Sequence, residues 1–270
     1  MKKKLLIFLA IILVLLALVL IYSSKITSHN VKVIEYSITD KNLPEKYHGL
    51  KVIHFSDILY GKLTTIKDLD KVVKKINETN PDIVVFTGDF FHKDIKLSDK
   101  EIEKVTSSLK KINAKYGMFV ILGDNDIKYK DSYFKIFGEI ATILDNESID
   151  IYLNDKTPIR ITGIRDTSKE ELKTEEENKL YNILLLHKPD DIDKIKNKYS
   201  LVLAGHSMGG QIKLPFYGSL IKLKGAKKYF SGLYTVNDMK LYVNDGIGSQ
   251  NINMRIGNNP KINFYRIYAK

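Results

Sequence analysis

Five short apolar runs in this chain each lead to a side chain that can bind a metal ion. The runs are KVIHFSD, DIVVFTGD, MFVILGD, NILLLH and LVLAGH, and they end at Asp57, Asp89, Asp124, His187 and His206. Carboxylate oxygens and imidazole nitrogens are the ligands that borderline divalent metals take in proteins. The chemistry to expect is therefore that of a divalent metal centre.

Short β-strands must position these side chains. Each run is too short and too rich in Val, Ile, Leu and Phe for a helix, which predicts a buried strand. Ligands at the carboxyl ends of neighbouring strands of an α/β sheet converge on one crevice. This arrangement would let residues as distant in sequence as Asp57 and His206 bind the same ion.

Each ligand also has a simpler interpretation when it is taken alone. Asp57 and Asp89 could cap a helix or a turn, and Asp124 begins an Asp-Asn-Asp sequence that favours turns by itself. His187 and His206 could be buried structural histidines. The metal centre is predicted only from the order of all five and their shared placement at strand ends.

That order resembles the signature of the calcineurin-like metallophosphoesterases: Asp, Gly-Asp, a Gly-Asn-His-like block, His, and a Gly-His-x-His-like block. The match runs from about Lys51 to the end of the chain, and the tail GQIKLP…LYVNDGIG resembles the membrane-associated bacterial branch of the family. The resemblance implies an α/β fold of two packed mixed β-sheets flanked by helices. It also implies metal-dependent hydrolysis of phosphodiesters or phosphomonoesters.

Four positions depart from the family motifs. Leu59 stands where the first block has histidine, and Met208 stands where the last block has its second histidine. In the third block, Asp124 and Asn125 stand where the family has asparagine and histidine.

The resemblance implies two metals bridged by Asp89, and the substitutions affect them unequally. One metal would use Asp57, Asp89 and the residues at 59 and 208. Leucine cannot ligate, and the thioether of methionine is too soft for an oxygen-rich site, so we expect this position to be empty or weak.

The other metal would use Asp89, Asp124, His187 and His206, all of which are capable ligands. We therefore expect one divalent ion (Mn, Fe, Zn or Mg) rather than two. A relic pocket that binds no ion is the remaining alternative.

The family's general acid would fall at Asn125. An amide can hydrogen-bond a phosphate but cannot donate a proton, and loss of a general acid typically lowers a rate about 10²–10⁴-fold. We do not expect compensation from His54, predicted to be structural within a strand, or from His92, predicted to lie on a solvated loop. Two functions remain: a phosphoester hydrolase with impaired activity, and a catalytically inactive surface module for binding or regulation.

The amino terminus predicts a membrane anchor. Lys2, Lys3 and Lys4 precede residues 5–22, which contain no charge, glycine or proline. This stretch nearly spans a bilayer core and exceeds the apolar region of about 7–15 residues in a cleaved signal peptide, although a processed signal peptide remains the alternative. The lysine triplet favours a cytoplasmic amino end. We expect a single-pass cell-membrane protein with an anchor (1–25), a linker with the first strand (26–49), and an extracytoplasmic catalytic-type domain (50–270).

Composition limits the partners. The chain has 270 residues, a formal net charge of +11 and no cysteine, which excludes disulfide and thiolate chemistry. Its basic clusters would be attracted to anionic lipid or wall polymer, or would simply form a solvated face; they lie at Lys110, Lys111, Lys222, Lys224, Lys227 and Lys228. We expect no nucleic-acid binding because no recognition motif accompanies them, and the sequence indicates no oligomeric state.

Periodicity and capping signals predict the remaining elements. An edge-like strand is expected over Val31 to Ile38, and a strand at Lys198 to Ala204 followed mainly by β-structure. Four helices are expected: Thr65 to Asn77, one opened by the capping box of Ser98 and Glu101, Asp131 to Leu144, and one opened by Ser168 with Glu171.

Overall fold

The structure is a computed structural model that describes residues 2–152, 156–171, 179–214 and 216–270. Its α-helices are α1 (Lys2–Lys25), α2 (Ile66–Glu78), α3 (Asp99–Leu109) and α4 (Lys130–Phe137). The first seven strands are β1 (Lys32–Asp40), β2 (Leu50–Phe55), β3 (Ile83–Phe86), β4 (Met118–Val120), β5 (Thr142–Ile143), β6 (Glu147–Ile151) and β7 (Ile159–Ile164). The later strands are β8 (Tyr181–Leu186), β9 (Leu201–Ala204), β10 (Lys213–Leu214), β11 (Gly218–Ser219), β12 (Gly232–Val236), β13 (Met239–Val243) and β14 (Lys261–Ala269).

Two six-stranded mixed sheets form the body of the protein. The first has the order β1-β14-β2-β3-β4-β5 and the second the order β12-β13-β9-β8-β7-β6. Strands β2, β3 and β4 are parallel neighbours in the first sheet, as are β8 and β9 in the second. The predicted sandwich of two mixed sheets flanked by helices is therefore confirmed. All five metal-capable runs are strands at the centres of these sheets.

Alternation along the strands divides the apolar side chains among three layers. Val52 and Val85 of the first sheet share one apolar cluster with Leu185 and Leu203 of the second, which places that cluster between the sheets. The opposite face of the first sheet packs on α2, α3 and α4. The outer face of the second sheet is covered mainly by the segments around Ile192 and Tyr229. Packing on both faces makes the sheets a rigid support for the loops at their carboxyl edges.

Two helices begin where the sequence predicted them, α2 from its apolar spacing and α3 from its capping box. Thr65 and Asp68 form the capping box that begins α2, and the Ser98 hydroxyl accepts a hydrogen bond from the Glu101 backbone N–H at 3.3 Å at the start of α3. Strand β1 lies at the edge of its sheet and pairs only with β14, as its alternating pattern predicted.

One predicted helix was too long, and the predicted start of another is a 3₁₀ turn. The helix expected over Asp131 to Leu144 ends at Phe137, and Thr142–Ile143 instead adds a short strand beside β4, because pairing with an open sheet edge outweighs weak local helix propensity. Ser168 lies in a 3₁₀ turn, Thr167–Lys169, whose cap is Asp166. The rest of that expected helix, residues 172–178, lies outside the described residues.

α1 is long and apolar enough to cross a membrane, judged by length and composition, and none of its apolar stretch is buried against the other residues that the structure describes. Where a linker was expected after it, a 3₁₀ turn at Thr27–His29 joins the helix to the domain. His29 Nδ1 lies 2.9 Å from Oδ1 of Asp68 on α2, and its Nε2 lies 3.1 Å from Nδ2 of Asn253. The foot of α1 is thus bonded to two parts of the domain.

Candidate metal centre

The two sheets contribute different chemistry to one site. Asp57, Asp89 and Asp124 follow β2, β3 and β4 of the first sheet, whereas His187 and His206 follow β8 and β9 of the second. The structure brings Asp89, His187 and His206 together, with one potential ligand atom from each lying within 4.8 Å of the others. All three residues are buried.

Backbone carbonyls fix the tautomers of both histidines. His187 Nδ1 lies 2.8 Å from the carbonyl oxygen of Thr87, and His206 Nε2 lies 2.9 Å from that of Lys224. A carbonyl only accepts, so each of these nitrogens carries the proton in a neutral ring. The remaining nitrogens, His187 Nε2 and His206 Nδ1, then face each other as lone pairs at 3.1 Å.

Asp89 completes this convergence of acceptors. Its Oδ2 lies 3.4 Å from His187 Nε2. Two lone pairs and a carboxylate oxygen repel one another unless a proton or a cation lies between them. Burial alone would lower the pKa of His187, but the charges of Asp89 and Asp57 and the hydrogen bond to Asp89 raise it to about 10 in the metal-free protein. A divalent ion would satisfy the same three atoms, and the donor set fits one.

Asn125 holds Asp89 in place. Its backbone N–H donates to Oδ1 of Asp89 at 2.7 Å, and its side-chain amide donates to Oδ2 at 2.9 Å. Burial favours the neutral form of Asp89, but the charge of His187, the hydrogen bond to His187 and the Asn125 backbone N–H prevail and lower the pKa of the carboxyl. The residue at the predicted general-acid position therefore contacts the central carboxylate.

Asp57 lies beside this group, outside the set of three converging residues. Its Oδ2 accepts a hydrogen bond from the His206 backbone N–H at 2.8 Å. Burial raises the pKa of Asp57 to about 7, with the Asp89 charge adding to the effect and the His187 charge opposing it.

Asp124 points elsewhere. Its side chain is half exposed, and Oδ1 pairs with Nζ of Lys188 at 2.7 Å. Lys188 directly follows His187 in sequence and lies close to Gly225, where a Cβ atom would come within 2.9 Å of its Cδ. The fourth predicted ligand is thus held by a neighbouring cation.

Leu59 and Met208, which stand where the family resemblance implies ligands, share a backbone conformation with three of the candidate ligands. Both are buried, and both have the left-handed conformation, with φ of 51° and 53°. Asp57, Asp89 and His206 share this uncommon region, with φ between 50° and 64°. Bulky apolar side chains rarely adopt it, so the loops hold a geometry that Leu59 and Met208 do not themselves favour.

Asp126 is a structural residue of the site that the sequence analysis missed. Its buried carboxylate accepts hydrogen bonds from the backbone N–H groups of Asp89, Phe90, Phe91 and Gly123 at 2.8 to 3.2 Å. It thereby ties the loop after β3 to the loop after β4. Burial and the nearby Asp89 raise the pKa of Asp126 to about 7, against the effect of those donors. The Asp-Asn-Asp turn after β4 was the available signal.

The two other histidines considered from sequence lie apart from the three converging ligands. His54 is buried in β2, with Nε2 at 2.9 Å from Thr87 Oγ1, and burial lowers its pKa to about 3. This confirms a structural role. His92 was expected on a solvated loop, and that was wrong: it is buried, with Nε2 at 3.1 Å from the Gln250 carbonyl oxygen, because the segment around Gln250 covers it.

Comparison with known proteins agrees with this geometry. A family model described as calcineurin-like phosphoesterase matches residues 50–210, which include every predicted ligand. The Bacillus subtilis (strain 168) protein YkuE, an uncharacterized metallophosphoesterase, is 31% identical over 255 residues, covering 91% of this chain and 88% of YkuE.

Two further relatives have more specific names. A transmembrane protein with metallophosphoesterase domain from Danio rerio is 28% identical, covering 86% of this chain and 56% of that protein. UDP-2,3-diacylglucosamine pyrophosphatase LpxG from Chlamydia muridarum (strain MoPn / Nigg) is 26% identical, covering 77% of this chain and 82% of that protein.

Proposed function

Because the chain belongs to the calcineurin-like phosphoesterase family, we propose that it is a membrane-anchored phosphoester hydrolase that works with a single divalent metal. The observation that carries the proposal is the convergence of His187 Nε2, His206 Nδ1 and the Asp89 carboxylate, with both imidazoles oriented by backbone carbonyls. A histidine that binds a metal through one ring nitrogen usually donates its other ring N–H to a carbonyl or a carboxylate. When bound, the ion would lower the pKa of a water and polarise a phosphoryl oxygen.

The chain's own residues supply the rest of the proposed chemistry. Asn125 keeps Asp89 turned toward the histidines, and its amide can also donate to a phosphate oxygen. Lys188 places a positive charge at the open side of the site, where its partner Asp124 is half exposed. The chain has no proton donor at the position of Asn125, so we expect the leaving group to depart without general-acid assistance and turnover to be slow.

We also propose a membrane anchor and a division of the chain into three segments. Residues 1–25 would anchor the chain, residues 26–49 would join the anchor to the first sheet, and residues 50–270 would form the catalytic-type domain. The lysine triplet at the start of α1 favours a domain outside the cytoplasm. LpxG of Chlamydia muridarum is named a UDP-2,3-diacylglucosamine pyrophosphatase, and the two acyl groups in that name support a membrane or envelope phosphoester as the substrate class.

A binding module without turnover is the second candidate. Leu59 and Met208 are buried where the resemblance places ligands of the other metal, and Lys188 neutralises Asp124. These observations favour a pocket that binds a metal and a phosphate group without cleaving it.

Metal content and turnover of the full-length protein in detergent separate these candidates. The chain would be stripped of metal and reloaded with Mn or Zn, and hydrolysis of a chromogenic phosphodiester would be measured. His187→Ala and Asp89→Asn are the test variants, and His48→Ala, which changes a half-exposed histidine outside the site, is the matched control.

One metal per chain, with turnover lost in both test variants but kept in His48→Ala, would support the hydrolase. One metal per chain without turnover would favour the binding module. Absence of stoichiometric metal in the wild-type chain would contradict both.

A further inference from the structure

A patch of exposed apolar side chains lies on the loop that leaves the metal centre at His206. Strands β10 and β11 pair as a short antiparallel ribbon, and Phe216 and Tyr217 lie between them with strongly exposed rings. The apolar ribbon, as we call it, presents Leu214, Phe216, Tyr217, Leu220 and Ile221 to solvent. Contiguous exposed apolar surface of this kind marks an interaction site.

The ribbon is strongly cationic at its base. Between His206 and Asp238 the sequence contains five lysines and no aspartate or glutamate. Lys222, Lys224 and Lys227 are exposed, and none of them forms an ion pair with a carboxylate of the described residues. An apolar tip above unneutralised lysines is complementary to a bilayer surface that contains anionic lipid.

The ribbon and the foot of α1 are braced by one segment, residues 250–256. Gln211, which precedes β10, donates its side-chain amide to the carbonyls of Ile252 and Met254 at 3.0 Å. Asn253 of the same segment contacts His29 at the foot of α1. The ribbon therefore lies near the point where the proposed anchor enters the domain. Ile252 and Ile26, along the same path, also expose their side chains.

The same loop is part of the metal centre. It begins at His206, and it returns at Lys224, whose carbonyl orients the His206 ring. Between these points the Leu220 backbone N–H donates to the Ile212 carbonyl at 3.1 Å, and Ser219 Oγ lies 3.3 Å from the Gly210 carbonyl oxygen, which ties the ribbon to the turn after His206. The position of the ribbon and that of the metal ligand are therefore mechanically linked.

We propose that the apolar ribbon is a second membrane contact, which inserts Phe216 and Tyr217 into the headgroup region of the bilayer that α1 crosses. Aromatic side chains favour that region, and the lysines at the base would meet anionic headgroups. This contact holds the metal centre at the membrane surface, where the phosphoester of an amphiphile lies. A second copy of the chain is a poorer occupant, because a two-fold contact would bring the lysines of both ribbons together.

This inference extends the proposed function to a class of substrate, but insertion itself requires no turnover. Ribbon position and hydrolysis are therefore separate measurements, and failure of one is distinguishable from failure of the other.

The test uses the absence of native cysteine. Phe216→Cys is labelled with an environment-sensitive fluorophore in the full-length chain and reconstituted into vesicles of phosphatidylcholine and phosphatidylglycerol. Phe134→Cys, at an exposed aromatic position on α4, is the matched control. We expect a blue shift, quenching by brominated acyl chains and shielding from aqueous iodide for the label at 216, and none of these at 134.

Two results would overturn the proposal. A label at 216 that iodide quenches and brominated lipid does not would place the ribbon in water. A label shielded from iodide but unaffected by brominated lipid would show that protein, such as a second copy, covers it.

A charge variant tests the lysines separately. Lys222→Glu with Lys227→Glu is expected to reduce brominated-lipid quenching at 216 in the anionic vesicles, whereas Lys110→Glu with Lys111→Glu, the other basic cluster, is expected to leave it unchanged. Equal quenching in the two double variants would refute attraction by the ribbon lysines.

Discussion

Nζ of Lys188 lies 2.7 Å from Oδ1 of Asp124, so the residue that follows one proposed ligand neutralises another. The pair is part exposed, and exposed ion pairs contribute about 0.2–1 kcal/mol. It therefore competes with a metal for Asp124 without excluding it. Whether Asp124 ligates depends on which partner its carboxylate takes.

Lys188→Met is expected to raise metal affinity by about 1.4- to 5-fold, because the metal no longer has to break the Lys188–Asp124 ion pair and that factor corresponds to the free energy of the pair. Calorimetric titration of the metal-free protein with Zn measures the change. In Lys188→Met with Asp124→Ala the gain should vanish, because the freed carboxylate is absent. A gain that persisted in the double variant would show that Lys188 acts on the site through its charge and not through Asp124.

Asn125→Ala is expected to weaken metal binding about 10- to 100-fold, the usual effect of removing a group that orients a ligand. The amide that holds Oδ2 of Asp89 is lost, while the backbone N–H that holds Oδ1 remains. The same titration measures the effect, with Asn113→Ala at a residue away from the site as the control. An unchanged affinity would mean that the backbone contact and Asp126 suffice to place Asp89.

Metal binding is expected to release about one proton at neutral pH, because the pKa of His187 is about 10 in the metal-free protein and the ion must displace the proton on Nε2. Affinity should therefore rise about tenfold per pH unit below pH 10 and fall with acidification. Titration at several pH values, in buffers of different ionisation enthalpy, gives both quantities. Metal binding that releases no proton would contradict the arrangement in which His187 Nε2, facing His206 Nδ1, carries a proton in the metal-free protein.

The same pKa shift affects stability without metal. Because the folded pKa of His187 is raised, its contribution to the free energy of unfolding is fully present below the ordinary histidine pKa of 6.5 and is lost as pH rises through about 10. The metal-free chain should therefore unfold at lower temperature at pH 10 than at pH 7, an effect that His187→Ala should diminish. Thermal unfolding of both proteins at the two pH values checks this.

Leu59→His with Met208→His is expected to create the second metal position. Both positions already have the positive φ that histidine accepts more readily than leucine, and Asp57 Cβ and Met208 Sδ both lie close to Gly246. Without metal each buried imidazole should cost about 1–3 kcal/mol of stability. Bound Mn should rise from one to two per chain and should recover that stability.

Leu59→Gln with Met208→Gln is the matched control, since it buries polar groups that cannot replace imidazole. It should show the loss of stability without the second metal. Adding Asn125→His to the histidine pair should then raise turnover, because it restores a proton donor. A histidine pair that still bound one metal would mean that the loops no longer hold the two-metal geometry.

The sequence by itself determined the five strands that lead to metal-capable residues, the order of those residues, and the presence of Leu59 and Met208 where the family motifs have histidine. These features are local: a buried strand is recognised from its own apolar run, and a missing ligand from the residue type at one position. Apolar spacing placed α2 and a capping box placed the start of α3 for the same reason, since both signals join residues three or four positions apart.

Only the tertiary structure decided which of the five candidates converge. Asp124 is directed toward Lys188, and the His187 and His206 tautomers are set by the carbonyls of Thr87 and Lys224. These contacts join loops of different strands, and the one to Thr87 spans 100 residues, so neither periodicity nor motif order encodes them. The burial of His92 under the segment around Gln250 has the same origin: it depends on what a distant part of the chain covers, which a local pattern does not specify.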